Sequence, residues 1–139
     1  MNLRRKTLVA LLALSLCLIL ATASAGTTIT YMASNDWVMD AEMELGAKFF
    51  EETGISVDYQ IVPSDQYTNL LMTKLNAGEC SDLFGSQGGQ FDIVTQLNVE
   101  QNAMPLSGEA WAATVDPLAA AELSVNGVLY GQPTSGSLT

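Results

Sequence analysis

The change of hydrophobic period between residues 28 and 84 constrains this chain more than any other feature. Thr28-Ile29-Thr30-Tyr31-Met32 alternates and is β-branched, the signature of a strand. Over residues 37–52 the apolar side chains instead recur at helical spacing. Met39, Met43, Gly46 and Phe50 form one ridge, with Leu45 and Phe49 beside it. Gly54 suits the stop of that helix. Alternation returns over residues 56–62, with Val57, Tyr59 and Ile61 on one face and Pro63 closing the strand. Tyr67, Leu70, Leu71 and Leu75 then mark a second helix, opened by Ser64 as N-cap with Asp65 in its first turn, and closed by Gly78. Asp82-Leu83-Phe84 reads as a short third strand, and residues 91–97 as a short third helix. The order β-α-β-α-β-α predicts an α/β fold with a mostly parallel, doubly wound sheet flanked by helices.

Beyond Asn98 the pattern loosens. Leu106-Ser107 and Trp111 are expected packing points, and residues 118–123 a further short helix. Val125-Asn126-Gly127-Val128 predicts a tight hairpin, because Asn-Gly suits a type I′ turn. Leu129-Tyr130 starts the return strand.

The first 25 residues belong to a different population. Arg4, Arg5 and Lys6 precede an apolar run over residues 8–20, and small residues lead to Ala23-Ser24-Ala25. A basic start, a short apolar core and an A-x-A site predict a secretory signal peptide cleaved after Ala25. The run is short for a bilayer span of roughly 20 residues, so an anchor fits less well, and no membrane insertion is expected after cleavage. Cys17 lies between Leu16 and Leu18 and lacks the small residue that precedes a lipid-modified cysteine. Lys6-Thr7 does not continue Arg4-Arg5 into a twin-arginine signal.

With the signal removed, Lys48 and Lys74 face all 15 acids. Such a balance repels phosphate backbones and anionic lipid, which argues against nucleic acid as a partner. Cys80 is the one cysteine of residues 26–139 and cannot form an internal disulfide, so the core must hold the domain. The sequence contains no histidine, which removes the commonest general base and metal ligand. The carboxylates show no metal-ligand spacing, so neither metal nor cofactor is expected. Cys80 sits beside Glu79 and Asp82, neighbours that would raise its pKa.

In an open α/β sheet, ligands bind beyond the carboxyl ends of the strands. Two segments fall there. Asn35 and Asp36, after the first strand, can exchange hydrogen bonds with hydroxyls, and Trp37 offers an apolar face to a ring. The same residues also suit a helix cap and packing on a first turn. After the third strand, Gly85-Ser86-Gln87-Gly88-Gly89 allows close backbone approach, with Ser86 and Gln87 as polar reach; it also suits a plain strand-to-helix turn. It is neither a phosphate loop nor a nucleophile elbow, since the lysine of the first and the leading glycine of the second are absent.

Six stretches stand in order along the chain: Ile29-Thr30-Tyr31-Met32-Ala33-Ser34, Ala47-Lys48-Phe49-Phe50-Glu51-Glu52-Thr53-Gly54-Ile55, Tyr67-Thr68-Asn69-Leu70-Leu71, Leu75-Asn76-Ala77-Gly78-Glu79, Asp82-Leu83-Phe84-Gly85 and Val125-Asn126-Gly127-Val128-Leu129-Tyr130-Gly131-Gln132-Pro133. Their order and spacing resemble the extracytoplasmic solute-binding proteins of bacterial ABC importers, specifically the sugar-binding family. The resemblance implies a periplasmic-binding-protein-like (type II) first lobe over residues 26–139, truncated near the first hinge crossover, with the second lobe missing. It implies no catalysis. The expected ligand is a carbohydrate, the partners are the membrane subunits of an ABC permease, and the protein is a monomer exported to the periplasm or outer face of the cell membrane. Asn35, Asp36, Trp37, Ser86 and Gln87 are the expected contacts, and the resemblance adds Ser135 in the stretch after Pro133. The competing expectation is the N-terminal part of a secreted hydrolase whose catalytic groups lie elsewhere.

Overall fold

A computed structural model describes residues 26–87 and 90–134. The expected signal peptide, its cleavage site, Gly88-Gly89 and Ser135 lie outside the described residues.

Strand β1 (Thr28–Ser34) is followed by helix α1 (Asp40–Thr53), β2 (Ser56–Val62), α2 (Ser64–Ala77) and β3 (Leu83–Phe84). The three strands form a parallel sheet in the order β2-β1-β3. Parallel neighbours need crossover connections, and α1 and α2 supply them. Gly54 and Gly78 end the two helices in the left-handed region, at φ 73° and 69°, as αL C-caps require.

The two helices take opposite faces. Tyr31 pairs in register with Tyr59 and with Leu83, so these three share one face. Gly46 of α1 lies against Tyr59, where a Cβ would come within 2.6 Å of the phenol oxygen. The Tyr59 hydroxyl donates to the Glu42 carbonyl at 2.8 Å, and its ring meets Tyr31 edge-on at 5.9 Å. Burial, and then the Glu42 charge, push both phenols above their ordinary pKa. On the opposite face, Met32 and Val62 pack with Tyr67, Leu71 and Leu75 of α2, joined by Phe91, Leu97, Val99 and Val125. This is the core.

The α1 side is thinly covered. No residue of α1 is buried, and Met39, Met43, Leu45, Phe49 and Phe50 are exposed, as is Leu83 on the same sheet face. The helix has the expected period, but its apolar ridge stays largely exposed, with Gly46 seated against Tyr59.

Three further expectations change. Helix α1 begins at Asp40, leaving Trp37 in the turn before it. Pro63 rather than Ser64 is the N-cap of α2, and the Ser64 N–H is satisfied by the Asn35 side-chain oxygen at 2.9 Å. Residues 91–97 form turns rather than a helix. Asp92 Oδ1 accepts from Val94 N and Thr95 N at 2.9 and 2.7 Å, the Gln96 side chain accepts from Asp92 N at 2.7 Å, and Asn98 leaves the turn at φ 45°. One capped turn is complete in itself, so nothing propagates it.

Short β3 is held by its preceding residue. Asp82 Oδ2 accepts from the Thr30 N–H and hydroxyl at 2.8 and 2.7 Å, and the Asp82 N–H donates to Thr30 Oγ1 at 2.9 Å. The chain then forms α3 (Val99–Asn102), a 3-10 turn (Ala112–Thr114) and α4 (Pro117–Glu122), capped by Asp116 with Pro117 at its first position. Strands β4 (Ser124–Val125) and β5 (Val128–Leu129) make the expected hairpin, with Asn126 and Gly127 at φ 52° and 79°. Leu106 N donates to the Leu129 carbonyl at 2.7 Å and Leu129 N to Ser107 Oγ at 2.9 Å, so Leu106-Ser107 does anchor the return strand.

Candidate functional site

In the order β2-β1-β3 the chain leaves β1 in one direction and returns past it to reach β3. The strand order therefore reverses between β1 and β3, and the crevice beyond their carboxyl ends is where such sheets receive ligands. The two loops there are residues 34–37 and 85–87.

The first loop is built on Ser34, which is 1 % exposed. Its carbonyl accepts from Trp37 N at 3.1 Å, closing a turn. Asn35 ties this turn to the neighbouring connection: its N–H donates to the Val62 carbonyl at 2.9 Å, and its side-chain oxygen takes the Ser64 N–H. Asn35 thus works as a helix-end acceptor through its oxygen, which leaves its amide N–H2 group for any other partner. Asp36 is exposed.

Trp37 is half-buried and lies across the strand ends. It meets Tyr67 edge-on, with ring centroids 4.8 Å apart and planes at 70°. It also covers Gly85, where an added Cβ would stand 3.2 Å from Trp37 Cε3 and 3.3 Å from the Tyr31 phenol oxygen. Absence of a side chain at Gly85 is what lets the two loops close on each other. Gly85 N donates to the Met32 carbonyl at 3.0 Å, and Ser86 and Gln87 continue outward with both residues exposed.

Of the sequence-derived residues, Trp37 and the start of the 85–87 loop are in direct contact. Asp36, Ser86 and Gln87 line the same rim from exposed positions, and Asn35 is partly committed to the fold. Tyr67 and Gly85 were not singled out as site residues. Tyr67 read as a member of the α2 apolar stripe, yet a tyrosine buried in a helix's first turn needs a partner for its hydroxyl, and that was the available signal. Its hydroxyl oxygen lies 2.7 Å from the Gly85 carbonyl and 3.1 Å from that of Met32. Burial, foremost, pushes this phenol well above its ordinary pKa.

A separate open groove of about 390 Å³ is lined by Trp111, Val115, Asp116, Gln132, Pro133 and Thr134, among others. It holds none of the residues of the two loops.

The described residues contain no group of three or more His, Cys, Asp or Glu side chains arranged for a metal ion. The Cys80 thiol is pushed up by burial, while a hydrogen bond from Ser81 and the Lys74 charge act the other way. Glu79 and Asp82, the cause to which the sequence pointed, do not produce the shift. No helix among the described residues is long and apolar enough to cross a membrane.

No protein-family profile matches the sequence, and no curated protein is significantly similar. Solved structures do match. An ABC transporter solute-binding protein from Thermotoga lettingae, bound with α-D-tagatose, aligns at 24% identity and TM-score 0.61 over 77% of this chain and 28% of its own. UspC of M. tuberculosis aligns at 20% identity and TM-score 0.62, over 75% of this chain and 25% of its own. A protein from work on xylan utilization by Caldanaerobius polysaccharolyticus gives 20% identity and TM-score 0.62, over 76% and 28%. The fold is therefore α/β of the periplasmic-binding-protein-like kind, a parallel three-stranded sheet flanked by helices. This chain spans about a quarter of the length of the solved chains it matches.

Proposed function

We propose that this chain is the first lobe of an extracytoplasmic solute-binding protein that captures a sugar or oligosaccharide for an ABC importer. The observation that carries the reading is the contact of Trp37 with Gly85, which brings both post-strand loops onto one rim at the switch between β1 and β3. Trp37 would stack on a sugar ring, and Asp36, Ser86, Gln87 and the free amide of Asn35 would exchange hydrogen bonds with its hydroxyls. Ser135 would join from the stretch after Pro133. The protein would perform no catalysis. Its partners would be the membrane subunits of the permease, met as a monomer after export and removal of residues 1–25.

Two further observations support the one-lobe reading. The solved neighbours are about three times as long as this chain. The apolar ridge of α1 and the Leu83 edge of the sheet lie open, as a face covered by additional polypeptide would.

The deciding experiment is calorimetry on the longest product of the gene against a panel of mono- and oligosaccharides, with amino acids and peptides as controls. Binding of an amino acid or peptide with no response to any sugar would remove the carbohydrate assignment. Mass spectrometry of the exported product tests the processing site, which should leave Gly26 as the first residue.

A further inference from the structure

The rim described above has two loops and one residue beneath them that touches both. Tyr67 stands in the first turn of α2, 2 % exposed, with its ring against Trp37 and its hydroxyl under Gly85. A phenol has one proton to donate and two carbonyls lie within reach. The Met32 carbonyl, at 3.1 Å, already receives the Gly85 N–H. The Gly85 carbonyl is nearer, at 2.7 Å, and lies at the exit of β3 where the ladder ends. The proton therefore belongs on Gly85. This fixes the backbone that leads into Ser86 and Gln87, while the ring edge fixes the plane of Trp37.

We infer that Tyr67 is the positioning residue of this cleft, holding the post-β1 and post-β3 loops as one preorganised rim; the inference rests on the binding reading above. Tyr67 need not touch the ligand. It removes the freedom of the groups that do, which is the usual route by which a buried side chain strengthens binding.

Tyr67→Phe keeps the ring and deletes the hydroxyl, so it tests the strut without opening a cavity. Amide exchange at Gly85 should accelerate about threefold to tenfold, the range expected for one lost hydrogen bond, while Tyr31 and Ala33 in β1 change little. Trp111→Phe leaves Trp37 as the one tryptophan, and in that background Tyr67→Leu should raise acrylamide quenching of Trp37 by about twofold as its edge contact is lost. Exchange at Gly85 that moves only in step with β1, or quenching of Trp37 unaffected by Tyr67→Leu, overturns the inference. Calorimetry separates it from the ligand class. If the parent binds a sugar, Tyr67→Phe should weaken it about threefold to tenfold, and equal affinity overturns the positioning role. If the longest product of the gene binds no sugar but exchange and quenching respond as expected, the positioning role stands and the carbohydrate reading falls.

Discussion

Replacing Leu71 by alanine and, separately, Leu45 by alanine asks whether the core lies on one side of the sheet. Leu71 is 0 % exposed at the centre of α2, enclosed with Met32, Val62, Tyr67 and Leu75. Leu45 sits on α1 with 62 % of its surface exposed. Truncating a fully buried leucine costs 2–5 kcal/mol, and about 3 kcal/mol is reasonable where one helix can settle onto the sheet. At Leu45 little apolar contact is lost and alanine is the better helix former, so the change should stay within about 0.5 kcal/mol. Urea unfolding of residues 26–139, followed by far-UV circular dichroism, reads both. With an m-value of about 1.5 kcal/mol/M for a small domain, Leu71→Ala should lower the midpoint by about 2 M and Leu45→Ala by about 0.3 M or less. Equal shifts would refute the one-sided core, because they would mean that α1 is packed as tightly as α2.

Three other outcomes follow from particular contacts. Asp82 is held below its ordinary pKa by the Thr30 N–H and then the Thr30 hydroxyl. A depressed carboxylate contributes stability that is complete above the unfolded value of about 3.9 and is lost as pH falls through the lower folded value. Asp82→Asn should therefore flatten part of the acid limb of a stability-against-pH curve, and an unchanged limb would exclude this role. Asp116 Oδ1 caps α4 by accepting from Leu118 N and Ala119 N at 2.9 and 3.2 Å, so Asp116→Ala should cost about 1 kcal/mol in a denaturant titration. Lysines at Met43 and Phe50 should reduce binding of an apolar dye to residues 26–139 without lowering Tm, since both side chains are exposed.

The sequence carried the β-α-β-α order because β1, α1, β2 and α2 each have enough residues to declare a period, whereas two-residue β3 was marked only by an apolar pair ahead of a glycine-rich break. Gly54, Gly78 and Asn126-Gly127 were legible for a related reason: each occupies a backbone region that other residues resist. What failed depended on partners distant in sequence. Residues 91–97 look helical until Asp92 and Gln96 satisfy their own neighbours. Ser64 looks like a cap until Asn35, 29 positions earlier, takes its N–H. The α1 ridge shows the limit most clearly, since a period says that an apolar face exists but not what lies against it. At the site, the loops were found by the rule for strand ends. Tyr67 was hidden because a buried aromatic in a helical stripe reads as core, and it is core as well as support.

The geometry also bounds what this lobe can do by itself on the binding reading. Stacking on Trp37 is worth about 1 kcal/mol. Hydrogen bonds from the Asn35 amide, Asp36, Ser86 and Gln87 add about 1 kcal/mol each at best, because all four residues are exposed. The sum of about 5 kcal/mol corresponds to a Kd of about 0.2 mM, and loss of ligand freedom weakens it into the millimolar range. Sites of high affinity bury most of the ligand surface, which a single rim does not. Residues 26–139 should therefore bind a sugar at millimolar strength or weaker in a chemical-shift titration, with perturbations centred on Trp37, Ser86 and Gln87. Micromolar binding by this lobe alone would refute the half-cleft, because it would require a second wall that these loops do not provide.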